Sequence, residues 1–111
     1  MELSVRREGD VVVIGLDGRL DSRSAPSVEE QLAALLADHR VMLMDLGRMS
    51  YLSSAGLRVL LLLYRQAQAA GSAVVLARVP AEVEEIMAAT GFLSFFTVAD
   101  TVDGALQQVA P

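Results

Sequence analysis

The stretch Met44-Asp45-Leu46-Gly47-Arg48-Met49-Ser50-Tyr51-Leu52-Ser53-Ser54-Ala55-Gly56-Leu57-Arg58 is where the sequence says most about its fold. The apolar run Val41 to Leu46 ends inside it, a polar-edged loop from Gly47 to Ser53 follows, and a helix opens at about Ser54. A strand that is apolar on both faces belongs in a sheet covered by helices or at the sheet's centre. The two serines stand where the first helical N–H groups have no partner and the helix dipole is positive. A serine there caps the helix, which position alone favours. It can equally carry a phosphate, which that end of a helix tolerates.

Downstream, the helix is expected to run to Ala70 and stop at Gly71. Leu57, Leu60, Leu61 and Tyr64 recur at i, i+3, i+4 and i+7 and are expected to form its core stripe. Val59, Leu62 and Leu63 fall outside that stripe. Val59 is expected to be buried by neighbouring elements. Leu62, between Arg58 and Arg65, is expected on the open face as a small apolar docking patch beside Ser54.

The rest of the chain alternates strands and helices. Residues around Leu3 and Val5, the turn Gly9-Asp10 and the run Val11 to Ile14 predict two strands joined tightly. Gly18-Arg19-Leu20-Asp21 reads as a short extended piece. Ser24 or Ser27 can cap a helix to about Asp38, with Val28, Leu32, Leu35 and Leu36 on one face. Ala73 to Ala77 is a further buried strand. Pro80 suits the first turn of a helix to about Thr90, stopped by Gly91. Phe95 to Val98 predicts a last short strand, and Thr101 caps a final helix through Gln108. Strands alternating with helices predict an α/β fold: a small, mostly parallel β-sheet with an antiparallel N-terminal edge strand, covered by about four helices.

Composition narrows the chemistry. A chain of 111 residues with 53% hydrophobic residues is long enough for one core and too apolar for disorder. Without cysteine there is no disulfide, thiolate ligand or Cys nucleophile, and one histidine makes no zinc cluster. No metal and no cofactor are expected. His39 lies in a different loop from Ser54 and reads as a surface residue. Leu52 stands where a Gly-x-Ser-x-Gly elbow has its first glycine, so no catalytic serine is expected. A phosphate-cradling Gly-rich loop is absent, and a net charge of −5 is no footprint for direct nucleic-acid binding. The absence of Lys, with Ala, Leu and Val dominating, suggests a GC-rich bacterial coding sequence. No apolar run reaches the ~20 residues of a membrane span, and no secretory leader is visible, so a cytoplasmic location is expected.

The quoted segment resembles the phosphorylation-site signature of the STAS domain, as found in bacterial anti-sigma factor antagonists. There an Asp-Leu strand end leads through a short loop to an aromatic or apolar pair and then Asp-Ser-Ser-Gly-Leu or a close variant. Here these are Asp45-Leu46, Tyr51-Leu52 and Ser53-Ser54-Ala55-Gly56-Leu57. Gly18-Arg19-Leu20-Asp21 is similar to the family's Gly-x-Leu-Asp before the first helix. Pro80 and the run from Gly91-Phe92-Leu93 to Ala105-Leu106 resemble its later segments. The resemblance implies a single STAS domain over residues 1–111. Ser54 falls on the family's phosphoacceptor, because Gly56-Leu57 fixes the register. Ser53, standing where many members have Asp, is the alternative acceptor.

The resemblance also implies a non-enzymatic switch in transcription regulation. The unphosphorylated form would bind an anti-sigma factor, a serine kinase, and so free a sigma factor. Phosphorylation at Ser54 would release it, and a separate phosphatase would reset it. Asp21, Ser53, Ser54, Ala55, Arg58 and Leu62 are the expected partner-binding residues. Asp21 is either a second negative group of that surface or simply a turn and helix-entry residue. Arg58, four residues after Ser54 on the same helical face, is either an ordinary solvated residue or a partner for the phosphate or for a partner carboxylate. The alternative is a STAS subunit of a lipid-transport or stress-signalling complex, with this surface a fixed protein contact.

Overall fold

The computed structural model describes residues 1–109; the last two positions of the expected domain lie outside the described residues. Strands β1 (Glu2–Glu8) and β2 (Val11–Leu20) form an antiparallel hairpin through the Gly9-Asp10 turn, where Gly9 takes φ 63°. Then follow α1 (Ala25–Asp38), β3 (Val41–Asp45), β4 (Met49–Leu52), α2 (Ser54–Ala70) and β5 (Ala73–Ala77). The chain continues through α3 (Ala81–Ala89), a single 3₁₀ turn at Leu93–Phe95, β6 (Thr97–Ala99) and α4 (Val102–Val109). The sheet runs β1-β2-β3-β5-β6, parallel apart from the first pair, and β4 pairs with β2 off that path. Among the described residues, four helices and six strands with an antiparallel edge match the architecture expected from the alternation of elements.

The pleat sorts the core into two layers. Val12, Ile14, Leu16, Met42, Met44, Val74 and Leu76 face α1, α2 and α3, whose Val28, Leu32, Leu60, Leu63, Val83 and Met87 complete the larger cluster. Val11, Val13, Leu43, Val75 and Ala77 face the other way, onto Ala105 of α4 with Val102, Leu106 and Val109 packed alongside. Both faces are therefore covered, which is why β3 and β5 are apolar at nearly every position.

Four expectations change. The loop Gly47 to Ser53 contains β4, whose buried ends Met49 and Leu52 flank exposed Ser50 and Tyr51, a pattern without alternation. The pieces Val11–Ile14 and Gly18–Leu20 are one ten-residue strand. It shifts register between Gly18 and Arg19, with Gly18 at φ 111°, and so serves β3 with its first half and β4 with its last residues. The last strand is Thr97–Ala99, because Phe95 belongs to the 3₁₀ turn. In α2 the buried side chains are Leu57, Val59, Leu60, Leu63 and Ala67; Leu61 and Tyr64 are half-buried. The stripe turns because α2 packs against the sheet on one side and α1 on the other. Val59 is buried, as expected.

The predicted helix stops hold. Gly71 takes φ 72° at the end of α2, and the N–H of Ser72 donates to the Ala67 carbonyl at 2.8 Å. Thr101 caps α4, its Oγ1 accepting from the Gly104 N–H at 2.9 Å. Among the described residues no helix is long and apolar enough to cross a membrane.

Candidate functional site

Strand β4 brings the site together. It lies parallel to the end of β2, Arg19 opposite Tyr51 and Leu20 opposite Leu52. The N–H of Ser53 then donates to the Leu20 carbonyl at 3.0 Å. This sets the start of α2 beside the turn that leads from β2 into α1. Gly56 allows the approach: a Cβ there would collide with the Leu20 carbonyl oxygen and lie 2.8 Å from Leu20 Cγ and 2.9 Å from Leu52 Cδ1.

The two serines divide the roles that sequence leaves open. Ser53 is the N-cap residue, extended at φ −88° and ψ 174°, and its Oγ accepts from the Gly56 N–H at 3.1 Å. Its hydroxyl is half-buried and engaged. Ser54 is the first helical residue and is exposed. Its side chain makes no hydrogen bond among the described residues, and it lines a groove of ≈ 620 Å³ between α1 and α2. Ala55, Arg58 and Leu62 share that groove with Ser22, Pro26 and Glu29. Arg58 is exposed and forms no ion pair among the described residues. Leu62 is half-buried and lines the groove with Ser54 and with Pro26 and Glu29 of α1. We expect Ser53→Ala to lower stability by about 1 kcal/mol, read by urea denaturation, as for other lost N-caps.

Asp21 sits in the adjoining turn. Its Oδ1 accepts from the N–H groups of Arg23 at 3.0 Å and Ser24 at 3.2 Å, and Arg19 Nε lies 3.5 Å from Oδ2. The carboxyl is held below its ordinary range, chiefly by the Ser24 N–H, then by those of Arg23 and the Arg19 side chain; desolvation opposes them. The helix-entry reading of Asp21 therefore describes its contacts. Ser24, expected as a possible cap, has helical φ and ψ and caps nothing. Its hydroxyl turns back to donate to the Arg19 carbonyl at 2.8 Å and accept from the Asp21 N–H at 3.0 Å. Ser27 lies inside α1 and accepts from Gln31 Nε2 at 3.0 Å.

A depressed carboxyl contributes stability above its unfolded pKa and loses it as pH falls through the folded value. Asp21→Asn keeps an oxygen for the turn but removes the charge. It should be less stable than the parent at neutral pH, with the gap closing below about pH 4, the unfolded Asp range. Denaturation at a series of pH values reads this; a gap that is constant with pH would contradict it.

Two features escaped the sequence. The Arg19 guanidinium lies 4.3 Å over the exposed Tyr51 ring, an assembly that depends on the unrecognised β4. Glu29 and Pro26 join the groove only because α1 packs on α2. His39 is no free surface group: its Nε2 accepts from Arg7 Nε at 3.2 Å, and its Nδ1 lies 2.8 Å from the Leu35 carbonyl, a pairing that places the proton on Nδ1. It ties β1 to the end of α1, away from the serines.

Among the described residues, a mostly parallel sheet with three helices on one face and one on the other, and a capped helix start set against the β2–α1 turn, define a small α/β domain. The profile of the STAS domain matches residues 2–105, and the chain belongs to that family. It is 37% identical over 107 residues to BtrV of Bordetella bronchiseptica, provisionally assigned as an anti-sigma factor antagonist, covering 95% of this chain and 91% of that one. The crystal structure of an anti-sigma factor antagonist from Mycobacterium paratuberculosis superposes with a TM-score of 0.84 at 27% identity, over 97% of this chain and 92% of that one. The antagonist SpoIIAA, in its unphosphorylated form, shares the fold at a TM-score of 0.84 and 18% identity, over 97% and 96% of the two chains.

Proposed function

We propose that this protein is an anti-sigma factor antagonist, a single cytoplasmic STAS domain whose hold on an anti-sigma factor is ended by phosphate on Ser54. What carries the reading is the state of one side chain. In a family whose relatives bear the name of antagonists, Ser54 is the exposed serine at the start of α2, without a side-chain hydrogen bond among the described residues, while Ser53 is occupied as the cap. The anti-sigma factor is a serine kinase and supplies the chemistry; this chain supplies an acceptor and a docking face. A phosphatase restores the unmodified form.

The physics of the switch is local. A phosphate adds about −1.5 to −2 charges at neutral pH. At Ser54 it would lie at the N-terminal turn of α2, where the Ser53 cap already takes the Gly56 N–H, and one turn from the Arg58 guanidinium. The fold tolerates it. A partner seated over the groove does not, because it must bury or oppose that charge. The sigma factor is freed while the unmodified form holds the anti-sigma factor.

The direct test is incubation with anti-sigma factor kinases and ATP, followed by mapping of the modified residue by mass spectrometry. The expected result is phosphate on Ser54 and none on Ser54→Ala. Phosphate confined to Ser53, or none with any such kinase, would overturn the assignment.

A further inference from the structure

The outer edge of the sheet carries information that the serine site does not use. Strand β1 spans seven residues and, among the described residues, pairs only with β2. It contains no proline and no register shift, and Val5 is 46% exposed. Edges this regular are templates for a further strand.

Side chains and backbone groups on this edge are both assigned by the pairing with β2. Leu3, Val5 and Arg7 stand opposite Leu16, Ile14 and Val12, so they lie on the face covered by α1, α2 and α3. Glu2, Ser4, Arg6 and Glu8 lie on the other face. The hairpin closes on Glu8 opposite Val11 through a two-residue turn, and the closing pair of such a turn exchanges both backbone hydrogen bonds. The even-numbered residues therefore bond inward to β2. Leu3, Val5 and Arg7 direct their N–H and C=O groups outward.

We propose that two copies of this chain associate edge to edge through β1, antiparallel about a two-fold axis at Ser4. A two-fold normal to the sheet keeps faces matched, so odd residues must oppose odd ones and even oppose even. With Ser4 on the axis, Glu2 meets Arg6 of the second copy and Arg6 meets its Glu2. Leu3 meets Val5 and Val5 meets Leu3, and these odd pairs are the ones whose backbone groups are free to bond. With Leu3 on the axis only Glu2 to Ser4 of the strand find partners, and the registers further along fail on charge. With Val5 on the axis, Glu2 faces Glu8 at both ends; with Arg6 on the axis, two arginines face each other. Arg6 is available for exchange, since its only ion pair among the described residues is with Glu8 on its own strand, at 3.6 Å with both side chains about half exposed. A contact of five residues a side falls well below the roughly 1,200 Å² of a stable interface, so the association is weak and reversible.

Sedimentation of the full chain from about 10 μM to about 1 mM tests this, a range suited to a weak complex. The average mass should rise from 11.8 kDa towards twice that value. Val5→Pro removes an outward N–H and leaves the β1–β2 ladder intact, so it should abolish the rise while circular dichroism stays unchanged. Glu2→Arg and Arg6→Glu should each weaken association roughly tenfold, since each breaks both symmetry-related pairs, and the double exchange should restore it. A chain that stays monomeric throughout would overturn the proposal. So would self-association that survives Val5→Pro, or single charge reversals with no effect.

Discussion

Replacing Gly56 with alanine should destabilise the domain by about 2–3 kcal/mol, although alanine is the better helix former by about 1 kcal/mol. The new methyl group would collide with the Leu20 carbonyl oxygen, and its other neighbours, Leu20 Cγ and Leu52 Cδ1, belong to core side chains that are 0% and 2% exposed. The oxygen is backbone, Leu20 Cγ is a branch point, and Leu52 Cδ1, though a side-chain end, is enclosed by the core. The carbonyl cannot retreat without stretching the hydrogen bond it accepts from the Ser53 N–H at 3.0 Å, and that bond fixes where α2 begins. Relief would have to come from moving α2 off β2, which opens the core around Leu57 and Leu60. Urea denaturation measures the loss. A variant as stable as its parent would mean that α2 and β2 do not approach as described.

The second large effect concerns release. Ser54→Ala should bind the anti-sigma factor about as well as the parent, because Ser54 neither caps α2 nor makes any side-chain hydrogen bond among the described residues. In the presence of ATP, the parent should dissociate as it is modified, and the alanine variant should stay bound throughout. Ser54→Asp should bind less well than the parent but better than the phosphoprotein, since it carries one charge against the phosphate's −1.5 to −2. The contrast is kinetic as well as thermodynamic: only a chain that can accept phosphate should leave the complex with time. Release of Ser54→Ala at the parental rate would place the acceptor elsewhere.

Much of this was legible in the sequence, for definite reasons. The strand Val41–Asp45 and the strand Ala73–Ala77 are covered on both faces, so their runs of apolar residues are unbroken and easily seen. The end of α2 is marked by Gly71, the start of α4 by Thr101, and both act as their types predict. By contrast, among the described residues β4 pairs only with β2, and buries Met49 and Leu52 at its ends while Ser50 and Tyr51 face water, so neither alternation nor an apolar run announces it. The buried arc of α2 keeps Leu57 and Leu60 of the expected stripe and adds Val59, Leu63 and Ala67, because a helix packed on two neighbours buries a wider arc than one period describes. Leu63 is buried and Leu61 is not.

The candidate site divides in the same way. That the helix begins at Ser53-Ser54 follows from the local pattern, but which serine caps and which is free depends on a backbone angle. The extended ψ of 174° at Ser53 settles it. Asp21 illustrates the reverse case: its sequence position left two roles open, and its hydrogen bonds to Arg23 and Ser24 account for it as a turn residue. The groove that Ser54 shares with Arg58, Leu62 and Glu29 is a product of helix packing, and only the first three of these residues carried a local signal.

The most direct measurement compares the affinity of one anti-sigma factor kinase for the unmodified chain and for the chain quantitatively phosphorylated at Ser54, by calorimetric titration without ATP. A phosphate confined to the docking face should cost at least about 2 kcal/mol, or roughly 30-fold in affinity, with the circular dichroism of the free protein unchanged. Equal affinity of the two forms would contradict the switch.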